Sequence, residues 1–178
     1  MTKILLAIGV VIAAAAAATA QETQVPAPGA EQKNLAYFEG TWKVEGTMQA
    51  SAFGPAGAMT GTETCRMFEG GWHLVCDSQG AGPMGPMKSH TLMTYDHAVK
   101  QYRYFSVSNL PEAEMAAGDR KEGVWQWLTD VTLEGKKIQS RFIMNQQSPS
   151  SYTMKWETSI DGTTWQLVFE GKGTKTSS

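Results

Sequence analysis

Few residues in this chain stand at spacings that could do chemistry, and each has a plainer reading beside it. Two cysteines, Cys65 and Cys76, flank the pair Gly70-Gly71. If those glycines form the centre of a hairpin, paired positions sum to 141, so Glu69 faces Trp72, Met67 faces Leu74 and Cys65 faces Cys76. Directly opposed strand residues have Cα atoms about 4.5 to 5.5 Å apart, within the reach of a disulfide. A two-residue turn of this kind puts the cysteines at a hydrogen-bonded pair, the wider type. A redox-active pair would want Cys-x-x-Cys or a helix start beside a cysteine, and neither is present.

The histidines are His73, His90 and His97, and none stands at metal-ligand spacing from another His or from a Cys, so no metal is expected. His73 lies beside a turn and His97 within one, which reads as solvated. His90 lies in strand sequence with Thr91 and Leu92, where an inward neutral imidazole could bond a ligand or act as a base; a hydrogen-bonded structural histidine is the simpler reading. Arg103 and Arg141 are the cations most embedded in apolar strand sequence. Either one pointing inward would anchor a carboxylate head group, and pointing outward is an ordinary surface arginine. The run Gly80-Ala81-Gly82-Pro83-Met84-Gly85 fits Gly-x-Gly-x-x-Gly, yet Pro83, Pro86 and a following strand remove the helix start that a pyrophosphate needs. It reads as a flexible hairpin loop which, with residues 50–58 carrying Phe53-Gly54-Pro55, lies over an open barrel mouth. There is no Gly-x-Ser-x-Gly and no acidic pair in a glycosidase context.

The elements that would position these groups follow a period of two, in short segments broken by Gly, Asp, Asn and Pro. Strands are expected over 41–49, 59–69, 72–79, 87–95, 101–108, 112–117, 124–131, 137–146, 151–160 and 165–174, with a short helix possible over 34–39. The alternation is clearest late in the chain, where Ile138, Ser140, Phe142 and Met144 oppose Lys137, Gln139 and Arg141, and Tyr152, Met154 and Trp156 oppose Thr153, Lys155 and Glu157. About ten strands joined by sequential hairpins must dispose of their edges, and an up-and-down antiparallel β-barrel of about 8–10 strands does so; a sandwich is the alternative. The fold class is all-β.

The 178 residues carry 15 Lys+Arg against 17 Asp+Glu, a net charge of −2 that gives no electrostatic reason to bind nucleic acid or an anionic lipid surface. Residues 1–20 pair Lys3 with an apolar, Ala-rich run and end Ala18-Thr19-Ala20, the pattern of a cleaved signal peptide. Export to the periplasm or the exterior is expected, with no membrane span after cleavage and an oxidising compartment for the cysteines. Residues 21–33 are Gln, Glu, Pro, Ala and Gly with little apolar surface and read as a flexible leader. The domain then runs over 34–178.

The run Phe38-Glu39-Gly40-Thr41-Trp42 resembles the Gly-x-Trp opening of lipocalin-like barrels, in which the Trp plugs the closed end and a cation near the last strand packs over it. Lys172 and Lys175 are the candidates for that cation. More fully, residues 35–175 resemble an exported bacterial family known as domain of unknown function 1579, through the Gly-Thr-Trp opening, Glu69-Gly70-Gly71, Leu92-Met93-Thr94-Tyr95-Asp96, and Asp161-Gly162 with Gly173-Thr174-Lys175. The resemblance implies a calycin-like fold and no particular chemistry. Nitrobindin-like haem barrels resemble this architecture too, but their ligand is a late-barrel His and the last His here is His97, so no cofactor is expected.

Ten Met, six Trp, five Tyr and six Phe make a soft aromatic interior that either fills the barrel or lines a cavity. Trp125, Trp127, Met144, Tyr152, Met154 and Trp156 are the expected lining, with Met93 and Tyr104 from the central hairpin; alternation puts Trp125 and Trp127 on one face without saying which. The favoured function is binding of a small hydrophobic or amphipathic ligand. The alternatives are a barrel enzyme of cyclase or isomerase type using a residue such as His90, Tyr104 or Arg141, and a structural envelope module with a filled core.

Overall fold

The computed structural model describes residues 26–111 and 113–177. The expected signal peptide and residues 21–25 of the leader lie outside that range, as does Glu112. Ten strands follow one helix: β1 (Gly40–Met48), β2 (Gly57–Met67), β3 (His73–Gly82), β4 (Gly85–Asp96), β5 (Gln101–Ser108), β6 (Glu114–Lys121), β7 (Val124–Leu133), β8 (Lys136–Ser148), β9 (Ser151–Ser159) and β10 (Gln166–Ser177). Each pairs antiparallel with the next, and β1 pairs with β10, so the sheet closes into a barrel and no edge is left.

The helix and the glycine-rich loop depart from their expected bounds for physical reasons. The helix α1 (Ala30–Leu35) with a 3-10 turn (Ala36–Phe38) starts inside the stretch read as leader. Its anchor is Gln32, fully buried, whose Oε1 accepts from the Gly29 backbone N–H at 3.1 Å and whose amide meets His97 Nε2 at 2.6 Å. His97 is exposed, as expected of a turn residue, and also ties the helix to the β4–β5 turn. The glycine-rich loop is also shorter than expected: β3 runs to Gly82, and the connection is the two residues Pro83 and Met84 before Gly85 at φ 103°.

Trp42 seals the helix end. It is wholly buried, its Nε1 donates to the Phe38 carbonyl at 2.7 Å, and Phe38, Tyr37 and Tyr152 pack around it. Lys175 supplies the cation, with Nζ 4.9 Å from the ring centroid and donating to the Tyr37 carbonyl at 3.4 Å. Lys172 does not: it pairs in register with Glu45 on the outer face, where its charge acts on that carboxylate.

Cys65 and Cys76 form the expected disulfide, but at the narrower type of pair. The Phe68 backbone N–H donates to His73 O at 2.7 Å and Gly71 N–H donates to Phe68 O at 2.9 Å, so the turn is four residues wide. That widening keeps the pairing sum and inverts the alternation of bonded and non-bonded pairs, leaving the cysteines 4.1 Å apart at Cα. Replacing both with Ala should lower unfolding free energy by about 3 kcal/mol or less, whereas Trp42→Ala should cost about 3–5 kcal/mol. Urea unfolding followed by far-ultraviolet dichroism checks both, and a Trp42→Ala protein as stable as the parent would contradict the sealing role.

Candidate functional site

The barrel interior holds a cavity of about 210 Å³. Its walls are thioether and aromatic: Met59, Met93, Met144 and Met154, with Val44, Phe142, Tyr104 and Tyr152, and with Phe38 toward the helix end. Met144 pairs with Met154 across β8 and β9, and Met93 with Tyr104 across β4 and β5, so four of the expected lining residues meet in two facing patches. Inner-face glycines decide where space remains. Gly46 and Gly171 are covered by the Phe169 ring, Gly173 by Tyr152 and Gly118 by Trp127. Gly61 and Gly80 face each other in β2 and β3 with only backbone close by, and no side chain fills the space before them.

One carboxylate faces this space. Glu63 follows the same alternation as Cys65, pairs with Trp42 on one side and Ser78 on the other, and lines the cavity. Its Oε1 accepts from Ser78 Oγ at 3.1 Å, which is its one side-chain hydrogen bond among the described residues, and none of their ion pairs reaches it. Most of its surface is buried and the rest opens to the cavity, and that desolvation raises its pKa above the ordinary carboxylate value. Its negative charge also acts on Tyr104 and Tyr152. Burial, and next the charge of Glu114, push Tyr104 up to about 12, so its hydroxyl keeps its proton; Thr91 and Ser106, bonded to each other at 3.0 Å, stand beside it. Glu114, opposite Ser106 at the loop end, is likewise raised by burial. The Glu63 carboxylate and the two cysteine sulfurs lie within 4.8 Å of one another, but the sulfurs are bonded together and offer no thiolate to a metal.

Several expected lining residues sit elsewhere. Arg141 points outward, where its Nε donates to Glu157 at 2.6 Å and its guanidinium stacks on Trp165 at 3.9 Å from the centroid. Arg103 lies on the same outer wall, 3.7 Å from Asp96. His90 is outside as well, paired with Asp77 at 2.7 Å, the two side chains 55% and 73% exposed. A groove of about 560 Å³ around that pair is open to solvent and lies on the far side of the wall from Met93. Trp125 and Trp127 do point inward, stacked at 6.1 Å, but Trp125 belongs to the sealed end, against Phe38 at 5.2 Å and Tyr102 at 4.8 Å, and neither borders the cavity. Trp156 stands nearer the mouth, donating to Ser140 Oγ at 2.8 Å and packing on Phe53 at 5.0 Å. Phe53 thus brings the β1–β2 loop inward, and a Cβ on Gly54 or Gly57 would press on Met84 or Pro83, so this loop touches the β3–β4 turn. The inward cation that the sequence did not reveal is Arg120, over Trp125 and bonded to Gln146 at 3.2 Å.

Ten antiparallel strands closed on themselves, capped by a helix and hollow within, define a calycin-like barrel. The chain belongs to the family described as protein of unknown function DUF1579, whose family model matches residues 27–175. A search among curated proteins found no match.

The raised Glu63 carboxyl has a signed consequence. An acid whose folded pKa lies above its unfolded value binds its proton more tightly when folded, so stability falls as pH rises through the interval above 4.5 and stays lower beyond it. Glu63→Gln never ionises and keeps its Ser78 neighbour, so it should unfold at higher temperature than the parent at neutral pH and converge with it at about pH 4. Glu114 is present in both proteins and cancels. A variant less stable than the parent at neutral pH would show that Glu63 is held by a cation.

Proposed function

We propose that this protein is an exported carrier that holds one small, largely apolar molecule inside its barrel. The observation that supports the reading is the internal cavity of about 210 Å³ walled by Met93, Met144, Met154 and Phe142. A dry cavity of ~150 Å³ admits benzene, whereas sites for drug-sized ligands run to ~300 Å³ and more. The ligand is then a single ring or a short chain with few substituents, gripped by adaptable thioethers. Cleavage of residues 1–20 and delivery to the periplasm or exterior belong to the same reading, and the Cys65–Cys76 disulfide suits an oxidising compartment. No helix among the described residues is long and apolar enough to cross a membrane.

The enzyme alternative loses support because His90 and Arg141 stand outside while Tyr104 stands inside, so the set does not converge. The envelope-module alternative draws on an exposed apolar stripe across three strands, Leu92, Phe105 and Met115, which are neighbours in register on the outer wall.

Toluene tests the carrier reading. A ligand that binds only the folded state raises the melting temperature, by more the further its concentration exceeds its dissociation constant. Toluene near saturation should therefore raise the melting temperature of the parent and of His90→Ala equally. Val44→Phe, which puts a ring before Gly61, should abolish the rise. An unchanged melting temperature in the parent would contradict the carrier.

A further inference from the structure

The cavity that receives the apolar body of a ligand also dictates its head group. Glu63 presents a carboxylate with about four acceptor positions, and Ser78 occupies one of them. Among the described residues, two cations lie at inward register positions by the sealed end: Lys175, over Trp42 and donating to Tyr37 O, and Arg120, over Trp125 and donating to Gln146 with its buried Nε left over; Lys88 borders the cavity from an exposed position on β4. Glu114, exposed at the start of β6 in register with Ser106, adds negative charge at that end of the wall. The cavity wall at Glu63 is therefore acidic and favours positive charge there over a carboxylate or phosphate. Aromatic faces stand beside the same space in Tyr104, Tyr152 and Phe142, and a ring face is the other surface that an organic cation prefers.

We propose that Glu63 is the head-group anchor of the cavity and that its ligand is a small amine, whose ammonium donates to Glu63 while its apolar body lies among Met93, Met144 and Met154. This rests on the carrier reading above and narrows it to one substrate class. Pairing completes a carboxylate that the fold otherwise leaves with one donor. It also explains why an acidic residue stands at an inward position between Gly61 and Cys65, where an apolar side chain would pack without a desolvation cost. Size agrees: benzylamine is a benzene ring with two further heavy atoms, and the cavity exceeds by roughly two-fifths the ~150 Å³ that holds benzene alone.

The test is calorimetric titration of the full chain, as it is produced, with benzylamine, toluene and benzoate, repeated on Glu63→Gln, which keeps volume and the Ser78 contact. The proposal expects benzylamine to bind more tightly than toluene, benzoate not to bind, and Glu63→Gln to weaken benzylamine by about thirtyfold or more while toluene stays within about twofold. Toluene binding with benzylamine no tighter, or benzylamine unaffected by Glu63→Gln, overturns the head-group assignment and leaves the carrier standing. Tight benzoate overturns it too, by showing a cation in the cavity. Silence from all three compounds overturns the carrier reading, and this proposal with it.

Discussion

The seal around Trp42 is the contact on which the rest of this structure depends. Closing ten strands joins the first to the last, and the pairing of β1 with β10 puts Trp42 opposite Lys175 while β1 and β2 put it opposite Glu63. The indole thus links barrel closure, the helix cap through Phe38 O, and the cavity floor in one side chain. Because Trp42 and its neighbours fill that end, Glu63 and Tyr152 on the inner wall beside it are desolvated. The raised carboxyl of Glu63 and the hydroxyls of Tyr104 and Tyr152, held protonated, follow from the seal.

Space inside a barrel of this size has to be kept open against side chains that would fill it. Here the balance is struck by where glycine faces an aromatic ring and where it faces glycine. Phe169, Tyr152 and Trp127 lie over Gly171, Gly173 and Gly118, so those parts of the wall are solid. Gly61 opposite Gly80 has no ring over it, and the cavity lies before that pair. The polar group placed at the edge of this gap is an acid that forms no ion pair among the described residues. Burying such a group costs stability unless a ligand or a proton completes it, which is the pattern expected of a site kept for function.

Much of this was legible in the sequence. Period-two alternation located all ten strands, and the pairing sum at Gly70-Gly71 placed the disulfide. The same sum also opposes Glu63 to Ser78, so the buried carboxylate was within reach of the reasoning that found Cys65 with Cys76. It was missed because an acidic residue between threonines reads as solvent-facing. Which face of a strand is inward is harder when both are mixed. The apolar strand sequence around Arg141 made that arginine look embedded, yet it lies on the outer wall, where Glu157 and Trp165 satisfy the guanidinium. The end of β6 was missed because Gly118, Asp119, Arg120 and Lys121 carry no apolar signal; a glycine stands there to make room for Trp127. The helix start was hidden because its anchor is a buried glutamine held by hydrogen bonds, which hydrophobic patterning does not register.

The most direct measurement is a crystal structure of the protein soaked with benzylamine. The account places the aromatic ring between Met93, Met144 and Met154, with the nitrogen within hydrogen-bond distance of Glu63, and nothing in the outer groove at Asp77 and His90. Electron density for the amine in that outer groove, or an interior closed by repacked methionines with no room for the ring, would contradict it.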